Sequence, residues 1–234
     1  MAKVFDMTGQ SFGSYLRATY GPWSSQDPFA QSSGTGVSFD NQYSGIESYE
    51  FGFLINTKRL TWRLGFEYVA PQPLNTVNGN DSASGANYYS LSSTVASLDP
   101  KLGVELNLKT WKESRLWFLG EGGIAMLDIH NNYTFTAAGT TKYGIGNFNE
   151  EVKSTGTVYA AGFGFETLMS DATTVSFELG YRYLNFTNLT EASGVTNFQG
   201  NVGSGASATQ NGGAARTLNM SGPYAAVSLR VWIF

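Results

Sequence analysis

Apolar and polar residues alternate one by one along most of this chain, and this pattern limits the fold more than any other feature. The stretch LTWRLGFEYVA, residues 60–70, is one example. Its two parities differ in kind: Leu60, Trp62, Leu64, Phe66 and Tyr68 oppose Thr61, Arg63, Gly65 and Glu67. Because successive side chains of a β-strand point to opposite faces, the pattern predicts a strand with one apolar and one polar face.

Eight segments carry this alternation, and none shows a convincing 3.6-residue helical period. The predicted strands cover residues 11–20, 46–56, 60–70, 89–109, 115–135, 157–169, 174–189 and 218–234. No window holds the roughly 18 unbroken apolar residues of a membrane helix, which excludes a helical membrane protein. The sequence therefore predicts one all-β domain over residues 1–234.

The connections between the segments are long and short in turn. The short ones are 57–59, 110–114 and 170–173, and the long ones are 21–45, 71–88, 136–156 and 190–217. Bacterial outer-membrane barrels have this arrangement, with short periplasmic turns and long outer loops. We therefore predict an eight-stranded antiparallel up-and-down transmembrane β-barrel. The long loops are rich in Gly, Ser, Asn and Thr, and we expect them to be solvated and mobile.

Charged residues are only 14% of the chain, so each polar strand face offers one or two charges among glycines. The outside of a soluble barrel carries more charge than this. We therefore place the charges in the lumen and the aromatic residues toward lipid. The predicted lumen set is Arg17, Glu50, Arg63, Glu67, Lys101, Glu105, Glu121, Glu166, Glu178, Arg182 and Arg230.

An eight-stranded interior is just wide enough for side chains to fill it. Isolated charges there are costly, so we expect a network of salt bridges that plugs the lumen. Glu178 and Glu166 are the candidate partners of Arg182. Two alternatives stay open, a gated ion path and a catalytic pair of carboxylates.

Aromatic residues fall near both ends of the predicted strands, as expected for the girdles at the two membrane interfaces. The outer set is Tyr20, Trp23, Tyr49, Tyr68, Tyr133, Tyr159, Tyr183 and Tyr224. The inner set is Phe12, Trp62, Trp111, Trp117 and Trp232. A stack of aromatic rings for sugar binding is the alternative interpretation.

The chain ends in YAAVSLRVWIF, an alternating strand that closes on a phenylalanine. With its eight strands and its loop alternation, the sequence resembles the small outer-membrane barrels of the OmpA, OmpX and OmpW type. The resemblance implies that Trp232 and Phe234 belong to a C-terminal signal read by the barrel-assembly machinery. The usual apolar residues at alternate positions before the terminal Phe are here Trp232, Arg230 and Ser228, so the signal is either shifted by one residue or fits the rim differently.

The same resemblance and the loop order imply a bacterial outer-membrane location. We expect both termini in the periplasm, the long loops outside the cell, a monomer, and contacts with outer-membrane lipid and lipopolysaccharide. The segment MAKVFDMTGQ has no apolar core of a leader peptide. The protein is therefore either cytoplasmic or has lost its leader, and the strand pattern favours the second interpretation.

Composition and motifs argue against most other functions. Cysteine is absent, and the net charge is −4 without a basic cluster, so we predict no cofactor, no metal and no nucleic-acid partner. His130 is the only histidine and is followed by Asn131-Asn132, without the serine of a lipid A deacylase. The segment GEGGIA (120–125) lies in a predicted strand, so it is not a nucleotide site.

We therefore predict a non-enzymatic barrel with a structural or surface-interaction role exerted through its long loops. The alternative is passage of small hydrophobic molecules or ions across the outer membrane, as the OmpW resemblance implies. That alternative needs an apolar upper lumen and a side exit. Leu127, Ile129 and Leu184 are upper-lumen candidates, too few to decide.

Overall fold

The computed structural model describes residues 8–30 and 35–233, and almost all of its regular structure is β-sheet. In chain order the elements are β1 (Ser11–Ser25), β2 (Val37–Phe39), β3 (Tyr43–Asn56), β4 (Leu60–Pro71), β5 (Leu74–Asp81), β6 (Asn87–Thr110), β7 (Ser114–Phe135), α1 (Ala137–Tyr143), β8 (Phe148–Ser170), β9 (Thr173–Phe186), β10 (Thr190–Glu191), β11 (Val195–Asn197), β12 (Gly200–Val202), β13 (Leu218–Asn219) and β14 (Gly222–Ile233).

Eight of these strands form a closed ring. Each long strand pairs antiparallel with the next one along the chain, in the order β1, β3, β4, β6, β7, β8, β9 and β14. The ring closes because β14 pairs back with β1, where Leu229 lies opposite Leu16. Closure leaves no exposed backbone edge in the wall, which a hydrocarbon environment requires. The predicted eight-stranded antiparallel barrel is therefore confirmed.

Several strands extend past their predicted bounds on the side of the long loops. β8 begins at Phe148 rather than at residue 157, and β1 continues to Ser25 rather than ending at residue 20. β6, β7 and β8 contain 24, 22 and 23 residues, whereas about 9–11 tilted residues cross a bilayer. The wall therefore continues well beyond the hydrocarbon layer. At the other end of the chain, β14 begins at Gly222 and not at residue 218.

The two faces of the wall have inverted polarity. Leu64, Phe66 and Leu179 are 47%, 49% and 68% exposed, whereas Arg63 and Glu67 on the opposite parity are each 1% exposed. A soluble barrel buries its apolar face and exposes its charges. The reverse arrangement is that of a barrel whose outer surface lies in lipid.

The long loops are not simply solvated, and that expectation is wrong for a large part of them. Phe29, Ala30, Leu189, Ala208 and Met220 are at most 2% exposed. They pack on inward-facing wall residues such as Tyr89, Ile129, Tyr133, Val152 and Leu184 in one apolar cluster. The loops thus fold into a cap over the mouth of the barrel at the long-loop end, because this buries their apolar side chains against the apolar residues of the inner wall.

The short helix α1 lies at the same long-loop end of the molecule, between β7 and β8. The Thr136 side chain accepts a hydrogen bond from the Gly139 amide at its start, and Gly144 with φ +67° ends it. In residues 8–30 and 35–233, no helix has both the length and the apolar character needed to cross a membrane.

The polarity of the wall predicts the effect of a misplaced charge. Leu179 lies in the middle of β9 on the exposed face. Leu179→Arg should therefore make the folded barrel in lipid less stable by about 2–4 kcal/mol. Thr196→Arg in β11 of the cap should change it by less than about 0.5 kcal/mol. Urea titrations in lipid vesicles measure both. Equal stability of the two variants would contradict the orientation of β9.

Candidate functional site: the barrel interior

The structure places all eleven residues of the predicted lumen set inside the barrel. Each is at most 8% exposed, and each takes part in at least one ion pair. They lie inside because they share strand parity with small residues, while their chain neighbours are the lipid-facing apolar residues. The charges form two groups that differ in their position along the barrel axis.

The central group surrounds Lys101. Its Nζ lies 2.9 Å from Glu50 Oε2, 2.7 Å from Glu67 Oε2 and 2.8 Å from Glu121 Oε1. Arg17 joins the same group, with Nη1 2.7 Å from Glu50 Oε2 and Nη2 2.5 Å from an oxygen of Glu178. One ammonium ion therefore holds three carboxylates that come from three different strands.

The basal group lies near the short turns and is a closed set of two arginines and two glutamates. Arg115 donates to Glu105 at 2.8 Å and to Glu166 at 2.6 Å. Arg230 donates to the same two carboxylates at 2.7 Å and 2.8 Å. Arg63 connects the two groups, since its Nη1 lies 3.1 Å from Glu178 and 3.5 Å from Glu105.

Two expectations about these charges need correction. Arg115 belongs to the lumen, although the predicted set omits it; its parity with Glu121 on the same strand already indicates this. With Arg115 included, six bases face six glutamates in the network. The partner of Arg182 is Glu67, at 3.3 Å, and neither Glu178 nor Glu166.

Four aromatic residues predicted as interface girdle are buried instead. Tyr224, Tyr133, Trp117 and Trp232 are at most 5% exposed. Tyr224 is on the inner parity of β14, and its hydroxyl donates to Glu178 at 2.6 Å. The other predicted outer residues Tyr20, Tyr49, Tyr68, Tyr159 and Tyr183, and the inner residues Phe12, Trp62 and Trp111, are exposed, and Trp23 is half-buried.

The buried rings act together with the charges. The Arg230 guanidinium carbon lies 5.3 Å from the centre of the Trp117 ring, and the indole nitrogen of Trp232 donates to Glu166 at 3.1 Å. Glycines make room for them. A Cβ at Gly164 would collide with the Trp117 ring, and one at Gly180 would lie 2.6 Å from the Tyr224 hydroxyl oxygen. The terminal residue Phe234 of the proposed insertion signal lies outside the described residues.

A separate buried ion pair lies above the network, inside the cap. Arg216 Nη1 is 2.7 Å from Glu150 Oε2, and its Nη2 donates to the carbonyl oxygen of Pro28. Asn131 Nδ2 donates to the same two groups, at 3.0 Å to Glu150 and 2.8 Å to Pro28. These contacts join the first and fourth long loops to β7 and β8. We call these four residues the cap latch.

Glu191 lies beside the cap latch and is 1% exposed. Asn197 donates to its Oε1 at 3.4 Å, and its Oε2 has no hydrogen-bond partner among the described residues. Burial and the nearby charge of Glu150 raise the pKa of Glu191 to about 7, against the opposing effect of Arg216. The Arg216 guanidinium pairs with Glu150 and not with Glu191, so the buried Glu191 carboxyl favours its protonated form.

On the outside of the wall, Asp128, His130 and Glu151 place their ligand atoms within 4.8 Å of one another. Asp128 Oδ1 lies 3.2 Å from His130 Nε2, and Lys153 Nζ lies 2.5 Å from Glu151. A divalent ion has the donors it needs here. However, the histidine side chain is half exposed and Lys153 competes for one carboxylate, so we assign no metal to this group.

Several solved structures are similar to this chain. The outer membrane protein OprG of Pseudomonas aeruginosa is 13% identical, with 97% of each chain covered and a TM-score of 0.48. Ail, the attachment invasion locus protein of Yersinia pestis, is 7% identical over 96% of this chain and 99% of its own, with a TM-score of 0.45. A major outer membrane protein of Thermus thermophilus is 10% identical over 95% and 99%, with a TM-score of 0.47.

No protein-family model matches the chain. No curated protein is similar to it in sequence. The assignment of the barrel itself rests on the strand pairing described above, which closes the ring independently of any relative.

The central group predicts a large effect for one substitution. Lys101→Met leaves three buried carboxylates without their shared cation, so it should cost about 3–5 kcal/mol of folding free energy in vesicles. Adding Glu121→Gln removes one of the stranded charges and should recover part of that loss. Lys142→Met, at an exposed site in α1, is the matched control. A cost below about 1 kcal/mol for Lys101→Met would show that water reaches the network.

Glu191 predicts a pH dependence of the cap. Its pKa in the fold, about 7, exceeds the ordinary value of 4.5. Between these values the folded chain holds a proton that the unfolded chain has lost, so the cap loses stability as the pH rises through this window. The amides of Glu191 and Gly205, which bond within the cap, should be better protected from hydrogen exchange at about pH 5 than at about pH 8, after correction for intrinsic rates.

Glu191→Gln is the control for this measurement, because the side-chain amide of glutamine does not ionise between about pH 5 and about pH 8. The variant should show the same protection at both pH values. A wild-type protein without pH dependence, or a variant with the wild-type dependence, would contradict the role of Glu191.

Proposed function

We propose that this chain is a non-conducting, non-enzymatic barrel of the bacterial outer membrane that serves a structural or surface-interaction role. One observation carries the proposal: the interior is blocked twice. The charge network fills the lower and central lumen, and the apolar cluster with the cap latch fills the upper part. A barrel closed in this way offers its outer cap, and not a pore, for its function.

The distribution of loops supports the orientation. All four long connections lie at one end and contribute to the cap, while the three short turns lie at the other. In bacterial outer-membrane barrels the long loops are extracellular. We therefore place the cap outside the cell and both termini in the periplasm, with lipopolysaccharide and lipid around a monomeric barrel that the barrel-assembly machinery inserts.

The six glutamates of the charge network support a role without catalysis. Each of the six network glutamates forms at least one ion pair with an arginine or lysine. A general acid or base needs a carboxyl group that can exchange its proton with a substrate. A carboxylate held between buried cations lacks that freedom.

A second candidate function is passage of small hydrophobic molecules through the wall. Pro100 lies in β6, and the pairing of β6 with β7 is interrupted between Leu98 and Lys101. Proline has no amide hydrogen to donate, so the wall is weaker here. Val95 and Leu127 of the apolar upper interior lie close to this interruption. A side exit for an apolar molecule is therefore expected between β6 and β7 at this level.

Planar-bilayer recording combined with dye uptake separates these functions. Insertion is verified first by a mobility difference between boiled and unboiled protein on gels, because a closed barrel resists unravelling in mild detergent. The proposal predicts conductance equal to that of the protein-free bilayer, and no uptake of a small apolar dye by protein-containing vesicles. Conductance steps would establish an ion path, and dye uptake that Pro100→Ala abolishes would establish the second candidate.

A further inference from the structure

Two short turns lie side by side at the end of the barrel opposite the cap. The turn between β3 and β4 (57–59) meets the end of β6 through a hydrogen bond of 2.9 Å from the Asn107 amide to the Arg59 carbonyl oxygen. The turn between β6 and β7 (111–113) follows directly. Four exposed bases lie on these neighbouring segments, and we call them the basic rim: Lys58, Arg59, Lys109 and Lys112.

The structure shows no carboxylate partner for the bases of the basic rim among the residues that it describes. None of them forms an ion pair with a carboxylate in residues 8–30 and 35–233. Lys109 instead places its ammonium group 5.0 Å from the centre of the Trp111 ring. Four cations on one side of a small rim create a local positive potential, because they outnumber the acids on the neighbouring turns.

The two ends of the barrel carry opposite charge. Among the described residues, the exposed or half-exposed groups at the cap end are Asp27, Asp40, Glu47, Asp81, Asp128 and Glu151, against Lys142 and Lys153. The short-turn end has the four bases of the basic rim against Glu113 and Asp171. In this protein of net charge −4, four of the six exposed bases among the described residues therefore lie at one end.

The depth of the basic rim is set by two aromatic residues. Trp62 and Trp111 are 44% and 42% exposed and flank the bases on the outer wall. Tryptophan side chains prefer the level of the lipid headgroups, so they hold the bases at the level of the lipid phosphates. Arginine presents a fork of donors that matches a phosphate, and lysine adds point charges beside it.

We propose that the basic rim binds the headgroup phosphates of anionic phospholipids in the leaflet that faces the short turns. This inference rests on the proposed function only in that the barrel spans a membrane. It does not depend on which bilayer holds the protein. Each base near an anionic surface contributes attraction that salt weakens. Zwitterionic headgroups cancel most of that attraction, so the basic rim should distinguish lipids by net charge.

Quenching of tryptophan fluorescence by brominated lipids tests the proposal. Of the five tryptophans, only Trp62 and Trp111 are exposed, and both flank the basic rim. Trp117 and Trp232 are buried, and Trp23 is half-buried against the apolar cluster at the cap end, so the signal reports mainly on this rim. The protein is folded into phosphatidylcholine vesicles that contain brominated phosphatidylglycerol or brominated phosphatidylcholine. Competition between each brominated lipid and its unbrominated form gives a relative binding constant.

We expect wild-type protein to prefer phosphatidylglycerol by at least about threefold at roughly 50 mM salt, and less at roughly 500 mM salt. The variant Lys58→Gln/Arg59→Gln/Lys109→Gln/Lys112→Gln should lose the preference. The matched control Lys142→Gln/Lys153→Gln, at the cap end, should keep it. Folding of every variant is verified by the mobility difference on gels, so a failed insertion counts against the barrel function and not against the lipid site.

Three outcomes would overturn the proposal. Folded wild-type protein without a preference would show that the basic rim does not select lipid charge. A preference that survives the fourfold substitution would place the selective contacts elsewhere on the wall. A preference for purified lipid A over phosphatidylglycerol in the same assay would assign the basic rim to the other leaflet and overturn the proposed choice of lipid.

Discussion

The pairing of charges inside the barrel is the interaction on which the rest of this structure depends. A wall in contact with lipid has to keep its ionised side chains on the inner face, since an unpaired charge in hydrocarbon is costly. An interior of eight strands is filled by side chains, so every charge inside needs a protein partner. Lys101 with its three carboxylates and the basal set of two arginines and two glutamates meet this requirement.

The rings and glycines of the interior complete this arrangement. Trp117 and Tyr224 occupy space that Gly164 and Gly180 leave open, and each ring also contacts a charged group. A smaller apolar residue would fill less volume and would lack the ring face that Arg230 contacts at Trp117 or the hydroxyl that Tyr224 donates to Glu178. The abundance of glycine in this chain is thus a packing feature of the inner face, in addition to its usual presence in turns.

Strand parity carried most of what the sequence could predict. It identified the eight strands and put eleven charges on the inner face, where the structure has them. Parity also indicates that Trp117 lies inside, because it shares parity with Glu121; the girdle prediction did not use this. Three features were beyond its reach. The partner of Arg182 depends on strand tilt and stagger across the lumen, the length of β8 depends on pairing above the membrane, and the cap depends on loop residues that have no periodicity.

The network also has a consequence for the order in which the molecule assembles. Arg17 of β1 can reach Glu50 as soon as β1 pairs with β3, but its other partner, Glu178, lies 161 residues away on β9. Arg230 and Glu105 are separated by 125 residues. Pairing of neighbouring strands leaves such groups without their partners, and water has to solvate them until the sheet curls shut. The interior of this barrel therefore becomes dry only when the two ends of the chain meet.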